Sequence, residues 1–210
     1  MLWLGTSPHQ DAVRAMLDAH DIGLLSQPTT HLPLPGWIWA ADNGCFTTSG
    51  SWREDRWMAW LARPHPRSGC LFATVPDVVG DHQATLDKFR RYADQVRDLR
   101  YPVAFVAQDG ATVDGIPWSD IDCLFVGGTT GFKQGLVAER LAAEARERGK
   151  WVHVGRVNSL KRLLHWHGVA DSSDGTFLAF GPEKNAARVA EWVRALRKGQ
   201  QERLEIHDGD

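Results

Sequence analysis

A compact closed (β/α)8 barrel of the TIM type is the fold class this sequence predicts, and three observations lead there. Short β-rich runs recur along the chain with helical stretches between them, the rhythm of βα units around a parallel sheet. With the two weakest included, these runs number eight, the strand count of the closed barrel. No GxGxxG or GxxxxGK[ST] fingerprint follows the first run, which counts against an open doubly wound sheet.

The predicted strands lie at residues 2–4, 37–41, 70–75, 103–107, 123–126 and 151–154, with weaker ones at 168–170 and 176–179. Between them the apolar residues fall at three- and four-residue steps. Asp81 is placed to cap a helix whose buried face is Leu86, Phe89, Ala93, Val96 and Leu99. Leu136, Val137, Leu141 and Ala145 repeat the pattern, as do Ala186, Val189, Ala190, Val193 and Leu196. Asn158 or Ser159 is positioned to cap a short helix through Leu163 and Leu164. Residues 1–198 read as one catalytic domain and 199–210 as a polar tail.

Composition bounds the function. Apolar residues make up 43% and charged residues 24% of the 210, ordinary for a globular domain. No apolar run has the roughly 18 residues of a membrane helix, so no membrane association is expected. The N-terminus lacks the pattern of a secretory signal, and Cys45, Cys70 and Cys123 form no CxxC pair. A cytoplasmic protein without disulfides, metal or cofactor is the expectation. A net charge of -2 argues against nonspecific coating of nucleic acid but leaves room for a local basic face. Most of the ten tryptophans, Trp37, Trp39, Trp57, Trp60 and Trp192 among them, are expected in the core.

Polar residues gather where the strands end. Residues 37–41 run into Asp42-Asn43-Gly44-Cys45-Phe46, 70–75 into Pro76-Asp77, and 103–107 into Gln108-Asp109-Gly110. Residues 123–126 run into Gly127-Gly128, 151–154 into Gly155-Arg156, and the next unit carries Asp171-Ser172-Ser173-Asp174-Gly175. In a barrel all these ends open onto the face that holds active sites. Such residues also make turns and cap helices, and Asp81 and Asp109 are assigned that role.

In this order the segments resemble the tRNA-guanine transglycosylase superfamily, in particular its shorter members that insert 7-deazaguanines into phage and bacterial DNA. The family's Asp-Ser-Gly-Gly-Phe looks like Asp42-Asn43-Gly44-Cys45-Phe46, its base-binding aspartate like Asp77, and its Val-Gln-Gly-Gly like Ala107-Gln108-Asp109-Gly110. Its paired glycines resemble Gly127-Gly128, a further glycine segment His153-Val154-Gly155-Arg156, and its two aspartates three apart Asp171 and Asp174. The likeness spans roughly residues 40 to 180. Two departures stand out. The cysteine-and-histidine zinc site of the tRNA enzymes has no counterpart, since His165 and His167 diverge on a helix. Cys45 and Asp109 fill motif positions that are smaller in the family.

The resemblance implies base exchange at an N-glycosidic bond, with DNA favoured over tRNA as the acceptor and guanine or a 7-deazaguanine as the small-molecule partner. Asp174 would be the nucleophile and Asp42 would handle protons on the leaving and incoming bases. Asp77 and Gln108 would read the base edge, Gly127, Gly128 and Gly155 would line the base pocket, and Phe46 would stack on the base. Lys133, Arg156, Lys161, Arg162 and Arg53 are candidates for phosphate contact, a role that a solvated helix face explains as well. A hydrolase that excises a modified base, a barrel that binds bases without turnover, and a sugar-processing barrel remain open alternatives.

Overall fold

A computed structural model describes residues 1–6, 8–30, 32–45 and 52–207, with the backbone alone for 199–207. Phe46 and Asp210 thus lie outside the described residues. Eight parallel strands close into a barrel in chain order: β1 (Leu2–Gly5), β2 (Gly23–Ser26), β3 (Trp39–Ala41), β4 (Cys70–Thr74), β5 (Val103–Ala107), β6 (Cys123–Val126), β7 (Trp151–Val154) and β8 (Ser172–Asp174). Closure is made by β8 pairing with β1 in the register Leu2↔Ser172 to Leu4↔Asp174. Because strand side chains alternate, each strand sends one set into the barrel and the other toward the helices. The inner set forms a small core of Leu4, Leu25, Ala40, Phe72, Ala104, Val106, Cys123 and Phe125.

The outer set meets seven helices among the described residues: α1 (Asp11–Asp18), α2 (Glu54–Leu61), α3 (His82–Asp98), α4 (Thr130–Lys133), α5 (Leu136–Glu147), α6 (Leu160–Trp166) and α7 (Pro182–His207). The cap expected at Asp81 is present, its Oδ1 accepting the Ala84 N–H at 2.9 Å, and Leu86, Phe89, Ala93 and Val96 are buried behind it. Ser159, rather than Asn158, caps α6 by accepting from the Arg162 N–H. Trp37, Trp39, Trp57, Trp60 and Trp192 are all core residues, as their number in the sequence suggested. Among the described residues no helix is long and apolar enough to cross a membrane.

Four features differ from the sequence expectation. The strand β2 went unpredicted, and residues 168–170 and 176–179 are not strands; the eighth strand is the polar triplet Ser172–Asp174 between them. Among the described residues no α-helix lies between β2 and β3, and only the 3-10 turns Val113–Gly115 and Trp118–Asp120 lie between β5 and β6. On α5 the buried face is Ala138, Leu141, Ala142 and Ala145, while Leu136 and Val137 face solvent. The α7 backbone also continues to His207, past the point where a tail was expected to begin.

Candidate active site

The inward series of the strands explains where the polar ends go. Two residues beyond Ala40 comes Asp42, and two beyond Val106 comes Gln108. The same step leads from Phe125 to Gly127, from His153 to Gly155 and from Ser172 to Asp174. Each continues the alternation that faces the barrel interior, so they converge at its C-terminal mouth.

Asp174 is the most heavily supported of them. It is 5% exposed. The Arg156 N–H donates to its Oδ1 at 3.0 Å, and His153 Nε2 lies 3.0 Å from its Oδ2. His153 is fully buried, with the rings of Phe72 and Phe125 at 5.0 and 4.4 Å. Its Nδ1 is 2.8 Å from Ser172 Oγ, which also receives the Trp151 Nε1–H at 2.8 Å. An ionised carboxylate can only accept, so the contact with Asp174 places the ring proton on Nε2; in the neutral ring Nδ1 then accepts the Ser172 hydroxyl proton, while the serine oxygen receives the indole N–H. The chain Trp151–Ser172–His153–Asp174 is therefore a directed relay that holds the Asp174 carboxylate in one orientation. Arg156 reaches Asp174 by adopting a left-handed backbone, φ 60°, which is uncommon for a residue with a Cβ.

Asp77 sits across the mouth, 9% exposed, between two amides. Asn43 Nδ2 donates to its Oδ1 at 2.9 Å and Gln108 Nε2 to its Oδ2 at 2.6 Å. Burial raises its pKa, while the Asn43 donor and the nearby Lys88 ammonium oppose the rise. Asn43 in turn is fixed by the Val75 carbonyl, the Cys45 N–H and the Trp52 indole. Gln108 also accepts the Gly80 N–H at 2.9 Å through its Oε1, so both ends of its amide are engaged within the protein and it orients Asp77.

Asp42 completes the group. Burial, then the negative charges of Asp77 and Asp174, raise its pKa to about 7, against the opposing pull of the Gly44 and Asn43 N–H groups. Three carboxylates thus share one mouth, and one of them is poised to change protonation near neutrality. Burial pushes the Cys45 thiol up to about 12, which keeps this neighbour a thiol rather than a thiolate nucleophile.

The glycines fit by necessity. A Cβ at Gly155 would stand 2.7 Å from Phe125 Cε1 and 3.5 Å from Asp174 Oδ2, and one at Gly127 would stand 2.7 Å from Val106 Cγ1. Gly128 has φ 74° in a turn where the Gly127 N–H is taken by the Ala107 carbonyl and the Thr129 N–H by Asp109. Asp109 also accepts from Thr129 Oγ1 at 2.6 Å, so it ties two loops together, the structural role expected of it.

No family model matches this chain. No curated protein matches it either. Among solved structures, tryptophan synthase from M. tuberculosis is similar in fold. One chain, in an aminoacrylate- and BRD0059-bound form, gives a TM-score of 0.53 at 14% identity over 94% of this chain and 90% of that one. A chain of the open form with BRD0059 gives 0.52 at 14% over 89% and 66%, so this protein spans just under two thirds of it. A chain in space group F222 gives 0.51 at 16% over 89% and 67%. These likenesses establish the barrel and say nothing of the reaction; none of the three structures is a transglycosylase.

The phosphate-contact candidates separate into two places. Lys133, Arg156, Lys161 and Arg162 line one cleft beside Gly155. Arg53 stands apart at the start of α2, in an exposed ion pair with Asp55 at 2.7 Å, so its charge is already balanced. His153, Asn43, Trp52 and Lys88 were not singled out as site residues from the sequence. His153 carried one usable signal, a polar side chain at an inward position of a strand.

Proposed function

We propose that this protein is a nucleic-acid base transglycosylase that exchanges guanine in DNA for a 7-deazaguanine through a covalent aspartyl–sugar intermediate. The observation that carries the reading is the contrast between two carboxylates in one mouth. Asp174 is an acceptor aligned by His153 Nε2–H and the Arg156 N–H, as a nucleophile requires. Asp42, with its pKa raised to about 7, can both give and take a proton at neutral pH.

In the reaction an Asp174 oxygen bonds to C1′ of the flipped-out nucleotide as the C1′–N9 bond breaks. The bonding pair leaves on N9, and protonated Asp42 supplies a proton to the departing guanine. Asp42 then removes the N9 proton of the incoming base, whose nitrogen attacks C1′ and releases the Asp174 carboxylate. A carboxylate suits the role because its charge also stabilises the oxocarbenium-like transition state. Each Asp77 oxygen keeps a lone pair after accepting one amide hydrogen, enough to receive the N1–H and N2–H of a guanine-like edge. A backbone N–H at Gly128 would meet the base carbonyl. Flipping the nucleotide from a duplex costs roughly a few kcal/mol, to be recovered from contacts to the strand.

The test is incorporation of labelled guanine, and separately of a labelled 7-deazaguanine, into duplex DNA and into tRNA, with Asp174→Ala in parallel. Label in DNA that disappears with the substitution is the expected result. Label in tRNA alone would overturn the acceptor, abasic sites without label would indicate base excision, and neither product with retained binding would leave a base-binding barrel.

A further inference from the structure

The cleft beside the mouth has a volume of about 490 Å³ and runs between α4 and α6. Lys133, Arg156, Lys161 and Arg162 line it together with His165, and no aspartate or glutamate does. In a chain of net charge -2 that is a concentrated positive surface. Among the described residues no ion pair involves Lys133, Lys161 or Arg162. The Arg162 guanidinium is steadied by a neutral group instead, with the Gln134 side-chain amide 3.1 Å from both Nε and Nη2, which its carbonyl oxygen satisfies. Burial lowers the Lys133 pKa, and the Arg156 and Arg162 charges lower it further while Asp174 pulls it up. Cations that repel one another across a half-enclosed space are stabilised by an anion between them.

A second cleft of about 520 Å³ shows the contrast. There three aspartates, Asp94, Asp114 and Asp120, outnumber the two arginines, Arg90 and Arg97, so the lining is not positive. The first cleft joins this positive lining, in which Lys133, Lys161 and Arg162 enter no ion pair among the described residues, to a wall shared with the mouth, since Gly155 lies against Asp174 and the Arg156 N–H touches it.

We propose that this cleft binds the phosphodiester backbone of the nucleic-acid strand next to the nucleotide presented to Asp174. The inference rests on the base-exchange reading for its orientation, while its ligand, a phosphate-bearing chain, follows from the cleft itself. A free nucleotide carries the same phosphate chemistry, so the test separates the two sources.

The experiment is fluorescence anisotropy of a labelled single-stranded oligonucleotide across a salt series, with wild type, Lys161→Gln/Arg162→Gln and a control, Arg90→Gln/Arg91→Gln, that removes equal charge elsewhere. All four side chains are exposed and helical, where glutamine is well tolerated. The cleft variant is expected to bind about tenfold or more weakly and to flatten the log K against log salt slope by about 1.4, two contacts at roughly 0.7 each. The control should match wild type. Equal loss in cleft variant and control would overturn the assignment. Competition by deoxyguanosine monophosphate as effective as by unlabelled oligonucleotide would replace the strand with a free nucleotide. Binding requires no turnover. Wild-type protein that exchanges no base yet binds through the cleft would therefore refute the base-exchange reading and uphold the cleft.

Discussion

Replacing His153 tests the relay that orients Asp174. In His153→Leu a side chain of similar size fills the slot between Phe72 and Phe125, so little cavity is created. Two buried groups lose partners: Asp174 Oδ2 its Nε2–H donor and the Ser172 hydroxyl its acceptor. A hydrogen bond to a charged acceptor is worth about 1.5–3 kcal/mol and an abandoned buried hydroxyl about 1 kcal/mol or more. Added leucine burial returns about 1 kcal/mol, leaving a net loss of about 1.5–3 kcal/mol. Urea unfolding followed by tryptophan fluorescence reads this directly. A double-mutant cycle with Asp174→Asn should give a coupling of about 1–3 kcal/mol, because the penalty belongs to the buried charge. In base exchange the variant should lose about 10–100-fold in kcat with KM little changed, and His153→Gln, which keeps an N–H donor, should recover part of it. A His153→Leu protein as stable as wild type, or a coupling below about 0.5 kcal/mol, would show that the relay does not hold Asp174.

Asp42 has a folded pKa of about 7 against 3.8 unfolded, so the folded state holds the extra proton between those values and loses stability as pH rises through them. Asp42→Asn should therefore be more stable than wild type at pH 8, by on the order of a few kcal/mol, with the difference vanishing near pH 4 in urea unfolding. Gly155→Ala would drive a Cβ to 2.7 Å from Phe125 Cε1 and should cost about 1–3 kcal/mol in thermal unfolding by crowding the His153 slot. Gln108→Leu strips Asp77 of one donor and frees the Gly80 N–H; a loss of about 2–4 kcal/mol in urea unfolding is expected, and a neutral result would remove Gln108 from the support of Asp77.

The barrel was legible because its strands are short apolar runs cut by polar ends, and the places where that logic failed are instructive. The strand β2 is Gly-Leu-Leu-Ser, four buried residues without alternation or β-branching, so nothing local marks it. The strand β8 is Ser-Ser-Asp, a turn by composition, made a strand by its neighbours: β1 and β7 pair with it on both sides and close the barrel. The apolar segments around it looked more like strands, but Leu178 is buried in the outer core between barrel and helices. Asp42, Asp77 and Asp174 were readable because a carboxylate after a strand has a predictable location. The roles of Asn43, Gln108 and His153 were not, since which polar side chain spends its hydrogen bonds on a neighbour depends on contacts about 20 to 34 residues away.

The mouth and the cleft pose one electrostatic problem. Three carboxylates at the mouth repel a polyanion, and a strand with its phosphates in the cleft adds negative charge beside them. The cations supply the compensation: Lys133 already senses Asp174, and Arg156 belongs to both places through its N–H on Asp174 and its side chain in the cleft. If the strand binds as proposed, its phosphates absorb the positive field that these cations exert on the mouth. Asp42 then faces less positive and more negative charge, so its pKa moves further up and the acid form needed to expel the first base gains population. Binding of substrate would thus load the proton that the first chemical step consumes. The pH dependence of kcat, which reports the bound enzyme, should turn at a higher pH than that of kcat/KM, which reports the free enzyme. Coincident profiles would mean that the cleft and Asp42 are electrostatically independent.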